Sequence, residues 1–225
     1  MRKGNKKKKF SLFKFFMILM TIAILYLIGS ILLSIKTKNI IIIDNHYYTD
    51  DQIIESANIY DYPKFILLNP RKIKNNLMKL DLIEDVTIEK RIDFSLRIKV
   101  KEKKILYYIR SKEEYMTSSN DSYKLEGISG IPTLINYVPE NVEKSFVREF
   151  SKVNDNIINL ISEIEYSKTD YDEKRFLLYM NDGNKIYITT SKTDKLNKYV
   201  DIVKKLDNKK GILYLDSGNY FEIKE

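Results

Sequence analysis

The chain has 225 residues, of which 44% are hydrophobic and 31% charged, a composition typical of folded proteins rather than disordered ones. It contains no cysteine, which excludes disulfide bonds and thiolate catalysis. The net charge of +8 comes from residues 1–35, which carry seven Lys or Arg and no acid, so that residues 36–225 have a net charge of only +1. This distribution argues against a nucleic-acid-binding domain, which needs a basic surface on its folded part.

A membrane-spanning helix is predicted over residues 15–35, which run for 21 residues without a charge between Lys14 and Lys36. About 20 such residues cross the hydrocarbon core of a bilayer. The alternative is a cleaved signal peptide, but its apolar region would be shorter and a small-residue cleavage site would follow. The seven basic residues before the segment predict a cytoplasmic tail over 1–14 and place the rest of the chain outside the cell membrane.

Residues 40–101 carry the pattern of a small module with the order β-α-α-β-β. The run Ile40–Ile43 predicts a strand, and Thr49 with Gln52 forms a capping-box signal for a helix. Asn69-Pro70 is the start signal of a second helix. Apolar residues alternate with polar ones on both sides of a turn at 91–94, which predicts an antiparallel hairpin with one buried face.

The charged segment 101–104 is predicted to separate this module from a mixed β domain over residues 105–225. One helix is predicted over about 142–159, with apolar residues on one face, and a second helix is predicted to begin at an Asp194 cap, with Gly211 ending its segment. The Asn-Asp-Gly sequence at 181–183 predicts a tight hairpin turn. Short apolar runs predict strands at 105–109, 113–117, 123–125, 133–135, 161–166, 175–180, 185–189, 212–215 and 220–223. The predicted fold class is therefore α+β behind a single transmembrane helix.

Catalytic and metal-binding patterns are weak throughout. His46 is the single histidine, which leaves too few ligands for a typical zinc site, and no nucleophile or glycine-rich phosphate motif accompanies it. Asp50-Asp51 lies at a helix start and Glu113-Glu114 in a predicted hairpin, where structural roles explain both pairs. We therefore predict no catalytic residue, no metal site and no cofactor.

The C-terminal strands offer a candidate binding site. A strand that ends a chain often lies at a sheet edge, where it can accept a strand from a partner. Tyr214 and Tyr220 are aromatic candidates there, and one of Leu213 and Leu215 is expected to face the edge. The alternative is that both tyrosines are ordinary packed residues and that Asp216 and Lys224 blunt the edge. The candidate site comprises Leu213, Tyr214, Leu215, Asp216, Ser217, Gly218, Asn219 and Tyr220.

The whole chain resembles the DivIB/FtsQ family of bacterial cell-division proteins. The resemblance lies in the order of tail, span and modules, in the segments IIIDNHYYTDDQIIESANI, FILLNPRKIKNNL and VTIEKRIDFSLRIKVKEKK, and in the closing KKGILYLDSGNYFEI. The third segment places the family's Val-x-Glu-Arg ending at residues 100–103. Departures include Asp44 in place of a usual glycine and Asp93 or Phe94 where proline is common.

The resemblance implies a POTRA domain over 40–101 and a divisome scaffold at the septum without catalytic residues. It also implies two bitopic coiled-coil partners, FtsL and a protein of DivIC/FtsB type, through which the chain would support septal peptidoglycan synthesis, and it places a partner contact at the C-terminal strands. Two alternatives remain open at this point. One is a membrane-anchored enzyme acting on cell-wall glycans, and the other is a different POTRA-bearing protein of sporulation or translocation.

Overall fold

The first compact unit of the chain begins with a long apolar helix. The computed structural model describes residues 12–207 and 209–223, and these divide into two compact units between Glu102 and Lys103. Helix α1 spans Leu12–Ser34, with 23 residues and no buried side chain. It starts three residues earlier than predicted, and residues 1–11 of the predicted basic tail lie outside the described residues.

The rest of this unit has the predicted order β-α-α-β-β. Strand β1 spans Ile40–Ile43, helix α2 Asp50–Ala57, helix α3 Pro70–Leu77, strand β2 Ile83–Lys90 and strand β3 Leu96–Glu102, with a 3-10 turn at Phe65–Leu67. Within the described residues these strands form a three-stranded sheet in the order β1-β3-β2. Strand β1 is parallel to β3, while β2 and β3 form the predicted antiparallel hairpin.

Local side-chain hydrogen bonds explain where the two short helices begin. Gln52 N–H donates to Thr49 Oγ1 at 3.3 Å and Thr49 N–H donates to Gln52 Oε1 at 2.9 Å, which is the predicted capping box. Asn69 Oδ1 accepts from the N–H groups of the first turn of α3, where Pro70 occupies the first helical position. The apolar faces of both helices then pack on the sheet, with Ile53 and Leu77 fully buried.

One carboxylate fixes the loop between β1 and α2. Glu102, the last residue of β3, accepts hydrogen bonds from the backbone N–H groups of His46, Tyr47 and Tyr48 at 2.8, 2.8 and 3.2 Å. Three converging N–H groups make a site for a negative charge. His46 therefore contributes to this module through the hydrogen bond that its backbone N–H group donates to Glu102.

The second unit is built on a mixed sheet with helices packed against it. Its strands are β4 Ile105–Ile109, β5 Glu114–Thr117, β6 Ser122–Tyr123, β7 Thr133–Leu134, β8 Ile161–Tyr166, β9 Arg175–Met180, β10 Lys185–Thr189, β11 Gly211–Tyr214 and β12 Tyr220–Ile223. In the described part of the chain their order across the sheet is β12-β11-β10-β9-β8-β7-β4-β5-β6. The helices are α4 Glu140–Phe150, α5 Asp155–Ile158 and α6 Tyr199–Lys205. Phe146 of α4 stacks on Phe176 of β9 at 4.0 Å between ring centroids, at the centre of the core.

Two helix predictions for this unit are wrong in detail. The helix predicted over 142–159 is broken into α4 and α5, although its five apolar residues, Val142, Phe146, Phe150, Val153 and Ile157, are all buried as expected. At the break, the Val153 carbonyl accepts a hydrogen bond from Lys104 Nζ, and Asn154 N–H donates to Asn197 Oδ1 at 2.8 Å. These tertiary hydrogen bonds take the place of helical ones.

The last helix also differs from its prediction. A 3-10 helix over Thr190–Lys198 precedes α6, and Asp194 lies inside that 3-10 helix instead of capping an α-helix. Gly211 begins strand β11 and does not terminate the helix. A Cβ atom at Gly211 would stand 2.0 Å from the Glu222 carbonyl oxygen, so this position needs glycine because β12 passes so close.

Candidate functional site at the C-terminal sheet edge

Strand β12 forms one edge of the nine-stranded sheet. It pairs antiparallel with β11, with Gly211 opposite Ile223 and Tyr214 opposite Tyr220, and no other described strand pairs with its second side. Strand β11 pairs on its other side with β10, in parallel, so it is an interior strand. The expectation that Leu213 or Leu215 faces the edge is therefore wrong.

The hydrogen bonds of β11 identify which residues of β12 face outward. Leu215 N–H donates to the Tyr187 carbonyl of β10 at 2.8 Å, so the odd-numbered residues of β11 direct their backbone groups to β10. Alternate residues face opposite neighbours, and Ile212 and Tyr214 therefore bond to β12. Their partners across the pair are Glu222 and Tyr220. It follows that Phe221 and Ile223 direct their backbone N–H and C=O groups to the free edge.

A row of tyrosine rings crosses the last three strands on the face opposite the core. The rings of Tyr187 and Tyr214 stack at 5.3 Å between centroids, and those of Tyr214 and Tyr220 stack at 4.5 Å with 12° between their planes. We call these three residues the tyrosine stack. Arg175 of β9 closes it at the inner end, with its guanidinium carbon 3.6 Å from the centre of the Tyr187 ring. The outer end, Tyr220, is 51% exposed.

Charged side chains hold the stack and the turn that joins β11 to β12. Arg175 Nε donates to Asp216 Oδ2 at 2.6 Å, in an ion pair that is largely shielded from solvent. Tyr214 donates its hydroxyl hydrogen to Glu222 Oε2 at 3.0 Å, and this bond raises the pKa of Tyr214 to about 12. Lys195 Nζ donates to Asn219 Oδ1 at 2.8 Å. The turn and the start of β12 are thus bonded to the adjoining strands and to the 3-10 helix.

The eight residues of the predicted site have different environments. Leu213 and Leu215 are core residues, 3% and 2% exposed, and Asp216 is held in its ion pair with Arg175. Tyr214 is half-buried within the tyrosine stack. Four residues of the turn and the start of β12 are exposed, namely Ser217, Gly218, Asn219 and Tyr220.

The predicted edge over about 211–223 includes Phe221, Glu222 and Ile223, but the eight candidate site residues omit these three and Tyr187. Tyr187 lies opposite Tyr214 in the register of β10 and β11, a pairing that only the strand order reveals. The other three form the remainder of the edge strand, and Ile223 is 53% exposed. A period-2 pattern over 220–223 was the available signal, since Tyr220 and Glu222 share one face and Phe221 and Ile223 the other.

Carboxylates also line grooves elsewhere on the second unit, where neighbouring side chains donate hydrogen bonds to them. One groove of about 250 Å³ is lined by Glu140 and Glu143. Lys144 donates a hydrogen bond to Glu140 and holds the pKa of that carboxyl below its usual value, while Glu143 accepts from the buried Tyr107 hydroxyl at 3.3 Å. Within residues 12–207 and 209–223, no group of three His, Asp or Glu is placed to hold a metal ion.

Comparisons with known proteins agree with this architecture. A sequence model of the POTRA domain, FtsQ-type, matches residues 35–103, and a model of the cell division protein FtsQ/DivIB C-terminal region matches residues 100–217, more than half of the chain. The fold is thus that of a POTRA-bearing protein with one apolar N-terminal helix and a C-terminal β domain. The chain belongs to the FtsQ/DivIB family of cell division proteins, as the sequence resemblance predicted.

Relatives match over almost the full chain. Cell division protein DivIB of Brevibacillus brevis is 28% identical over 229 residues, covering 98% of this chain and 85% of the relative. DivIB of Bacillus subtilis is 26% identical over 231 residues, covering 98% and 86%. Among solved structures, the major extracytoplasmic domain of DivIB from Geobacillus stearothermophilus is similar at 22% identity and a TM-score of 0.38, covering 48% of this chain and 97% of that one.

Proposed function

We propose that this chain is a membrane-anchored, non-enzymatic scaffold of the division septum. It binds bitopic partners of the FtsL and DivIC/FtsB type and, through them, supports septal peptidoglycan synthesis. The observation that carries the proposal is an open edge strand, β12, beside an exposed tyrosine ring in a member of a cell-division family. No cofactor or small-molecule substrate takes part.

The edge fits a partner that adds a strand. The outward N–H and C=O groups of Phe221 and Ile223 provide main-chain hydrogen bonds, each worth about 0.5–1.5 kcal/mol net. Tyr220 adds an aromatic surface next to this edge, of the type found at interface anchors. The Arg175–Asp216 pair and the Tyr214–Glu222 hydrogen bond hold the strand in place before the partner arrives, which lowers the entropic cost of binding.

Two carboxylates that line grooves of the second unit, Glu140 and Glu149, fit a scaffold better than a glycan hydrolase. A glycosidase needs a carboxylic acid with a raised pKa beside a second carboxylate. Glu140 and Glu149 both have pKa values below the usual range, because Lys144 donates a hydrogen bond to Glu140, and Lys152 and Arg148 donate to Glu149. A lowered pKa is the opposite of what the acid of a glycosidase needs.

Helix α1 is the proposed membrane anchor, with its N-terminal side in the cytoplasm. A helix of 23 residues is about 34 Å long, which spans a hydrocarbon core of about 30 Å. The hydroxyl groups of Thr21, Ser30 and Ser34 donate to carbonyls of the same helix, as in the hydrogen bond from Ser30 Oγ to the Leu27 carbonyl at 2.8 Å. Protease added to spheroplasts is expected to digest the outer units and to spare an N-terminal tag; protection of the outer units would contradict this orientation.

The partner site is tested by removing one outward N–H group. The binding measurement uses full-length protein in nanodiscs with the substitution Ile223→Pro. The matched control is Ile223→Ala, which loses most of the side chain but keeps the backbone N–H group. Binding of the outer segment of the DivIC/FtsB-type partner is expected to weaken about two- to tenfold more with proline than with alanine, which corresponds to one hydrogen bond. Tyr214→Ala is expected to weaken binding less than the proline, because Tyr214 lies on an interior strand.

Circular dichroism must show that each variant is folded. Equal affinity of the proline and alanine variants would place the partner site elsewhere, on the POTRA domain or on helix α1. Recovery of the partner proteins from membranes with the tagged chain, identified by mass spectrometry, tests the scaffold role independently of this edge.

A further inference from the structure

The first unit carries exposed apolar side chains on two segments at one end. Residues 60–67 and 90–94, which we call the proximal rim, lie in the connection between α2 and α3 and at the β2–β3 turn. Their large exposed side chains are Tyr60, Tyr62, Ile66, Leu67 and Ile92, with exposed fractions of 61%, 50%, 41%, 65% and 98%. A row of such residues on the surface of a folded domain is typical of an interaction site.

Backbone hydrogen bonds attach both segments of the rim to the residues that follow helix α1. Phe65 N–H donates to the Ile35 carbonyl at 2.9 Å, and Thr37 N–H donates to the Pro63 carbonyl at 3.0 Å. Lys38 N–H donates to the Phe94 carbonyl at 3.0 Å. Since α1 ends at Ser34, the rim lies within a few residues of the point where the chain leaves the helix. Residues 35–38 are therefore part of the module and not a free linker.

The strand directions place the two segments at the same end. Strands β1 and β3 are parallel, with Ile40 opposite Leu96, so both begin next to the exit from α1 and run away from it. Strand β2 runs back toward this end and leads into the turn at 91–94. Lys90, its last residue, donates from Nζ to the carbonyls of Ile66 and Leu68 at 3.4 and 3.3 Å, which joins the two segments directly.

The rim is also positively charged. The exposed cations of the rim are Lys64, Lys90 and Arg91, and residues 35–38 add Lys36 and Lys38. The acids of the rim are Asp61 and Asp93. Asp93 is engaged in its own turn, where it accepts from Ser95 N–H and Oγ–H. None of the five cations forms an ion pair within 4 Å among the residues that the structure describes. Lys90 is engaged by the Ile66 and Leu68 carbonyls, so Lys36, Lys38, Lys64 and Arg91 are the cations with no carboxylate partner to compete with an anionic one.

We propose that the proximal rim inserts into the outer surface of the membrane that α1 spans and binds anionic phospholipid headgroups. Tyrosine side chains are enriched at the headgroup level, because the apolar ring can contact lipid while the hydroxyl group stays hydrated. Leu67 and Ile92 then reach the boundary of the acyl chains, about 5–10 Å deep as in interfacial helices, and the cations lie among the headgroup phosphates. The module is thereby seated on the bilayer in a fixed orientation. This inference rests on the proposed membrane anchoring by α1.

The test uses tryptophan as a depth probe, because the chain has no Trp of its own. Full-length protein carrying Leu67→Trp or Ile92→Trp is reconstituted into liposomes that contain phosphatidylglycerol and brominated phosphatidylcholine. The matched control is Met78→Trp, an exposed apolar position of the same module at the far end of α3. Leu25→Trp, in the middle of α1, reports the anchoring itself.

Quenching by the brominated lipid, with a blue-shifted emission, is expected for the probes at 25, 67 and 92 and not at 78. Quenching of the probe at 25 without quenching at 67 and 92 overturns the membrane insertion of the rim but agrees with membrane anchoring by α1. Absence of quenching at 25 overturns both. The two rim variants change different segments, so misfolding of one, seen by circular dichroism, leaves the other as a valid test.

The charge is tested separately in the Leu67→Trp background. Lys64→Gln and Arg91→Gln, which each remove one positive charge, are each expected to shift the equilibrium between bound and free rim about fivefold toward the free form, a shift that is absent in liposomes of phosphatidylcholine alone. Lys79→Gln, at an exposed lysine beside the control position, should have no effect. Equal quenching in neutral and anionic liposomes overturns the anionic headgroup as the ligand.

Discussion

At the scale of single residues, Glu102 shows how one carboxylate organises a loop far from it in sequence. It accepts three backbone hydrogen bonds from residues 46–48. Hydrogen bonds to an ionised acceptor contribute about 1.5–3 kcal/mol each, and neighbouring bonds are not additive. We expect Glu102→Gln, which keeps one acceptor oxygen, to lower the free energy of unfolding of this module by about 1–3 kcal/mol. Hydrogen exchange of the amides at 46–48 is the direct measurement and should become faster.

Glu84→Gln is the matched control for this prediction. Glu84 pairs with Lys101 at 2.8 Å on the surface of the same hairpin, with 43% and 66% of the two side chains exposed. Exposed ion pairs contribute between about 0 and 1 kcal/mol, so this variant should leave exchange at 46–48 unchanged. A similar effect of both variants would mean that Glu102 acts through the general charge of the sheet instead of through the loop.

At the scale of elements, Gly211 decides how closely β12 can approach β11. Because a Cβ atom there would stand 2.0 Å from the Glu222 carbonyl oxygen, Gly211→Ala must displace one strand. We expect the cost of overpacking, about 1–3 kcal/mol, and faster hydrogen exchange at the backbone N–H groups that pair the two strands. Gly218→Ala in the connecting turn is the control, since its nearest neighbour is a movable Tyr220 ring carbon at 3.3 Å. Unchanged exchange in Gly211→Ala would show that β12 tolerates the shift.

The break between α4 and α5 also depends on residues that are distant in sequence. Apolar spacing over 142–157 continues through the break, and every one of the predicted core residues is buried. The break follows from Lys104 and Asn197, which bond to the backbone at 153 and 154 and lie tens of residues away in sequence. The periodicity of side chains reports which residues face the core, but it does not report which hydrogen bonds the backbone makes.

At the scale of the whole molecule, buried and hydrogen-bonded tyrosines set an alkaline limit to stability. Hydrogen bonds to Glu165 and Glu222 raise the pKa values of Tyr179 and Tyr214 to about 12, and burial raises the pKa of Tyr199 as well. In an unfolded chain the tyrosine pKa is about 10. The stabilisation is therefore fully present below about pH 10 and is lost as the pH rises through the folded values.

Urea unfolding between pH 8 and pH 12 is expected to show this decline. Absorbance at 295 nm follows the phenolate directly. Glu165→Gln should lower the pKa of Tyr179 toward 10, because the Glu165 hydrogen bond is the largest cause of its shift. A titration that the substitution leaves unchanged would contradict this assignment.

The division of the chain into two units predicts that the first module folds by itself. Its core is separate from that of the second unit, and the division at Glu102 falls inside the predicted seam at 101–104. A fragment over 35–104, which keeps the residues that bond to the 3-10 turn and to Phe94, has about 70 residues, near the size at which hydrophobic cores become marginal. We expect dispersed amide signals in its NMR spectrum. A spectrum without dispersion, with a folded full chain, would place the boundary elsewhere.

The sequence by itself determined the features that depend on neighbours a few residues apart. The apolar run that predicts the membrane helix, the capping box at Thr49, the Asn69-Pro70 start and the alternation around 91–94 are all such local signals, and the structure contains each element. Only the tertiary structure decided the rest, because it depends on contacts between distant residues. Strand order puts Leu213 on an interior strand and leaves Ile223 at the edge, and hydrogen bonds from Ile35 and Lys38 bring two separate segments together as the proximal rim. Local spacing fixes the face on which a side chain lies, whereas exposure of that face depends on which strand or loop packs beside it.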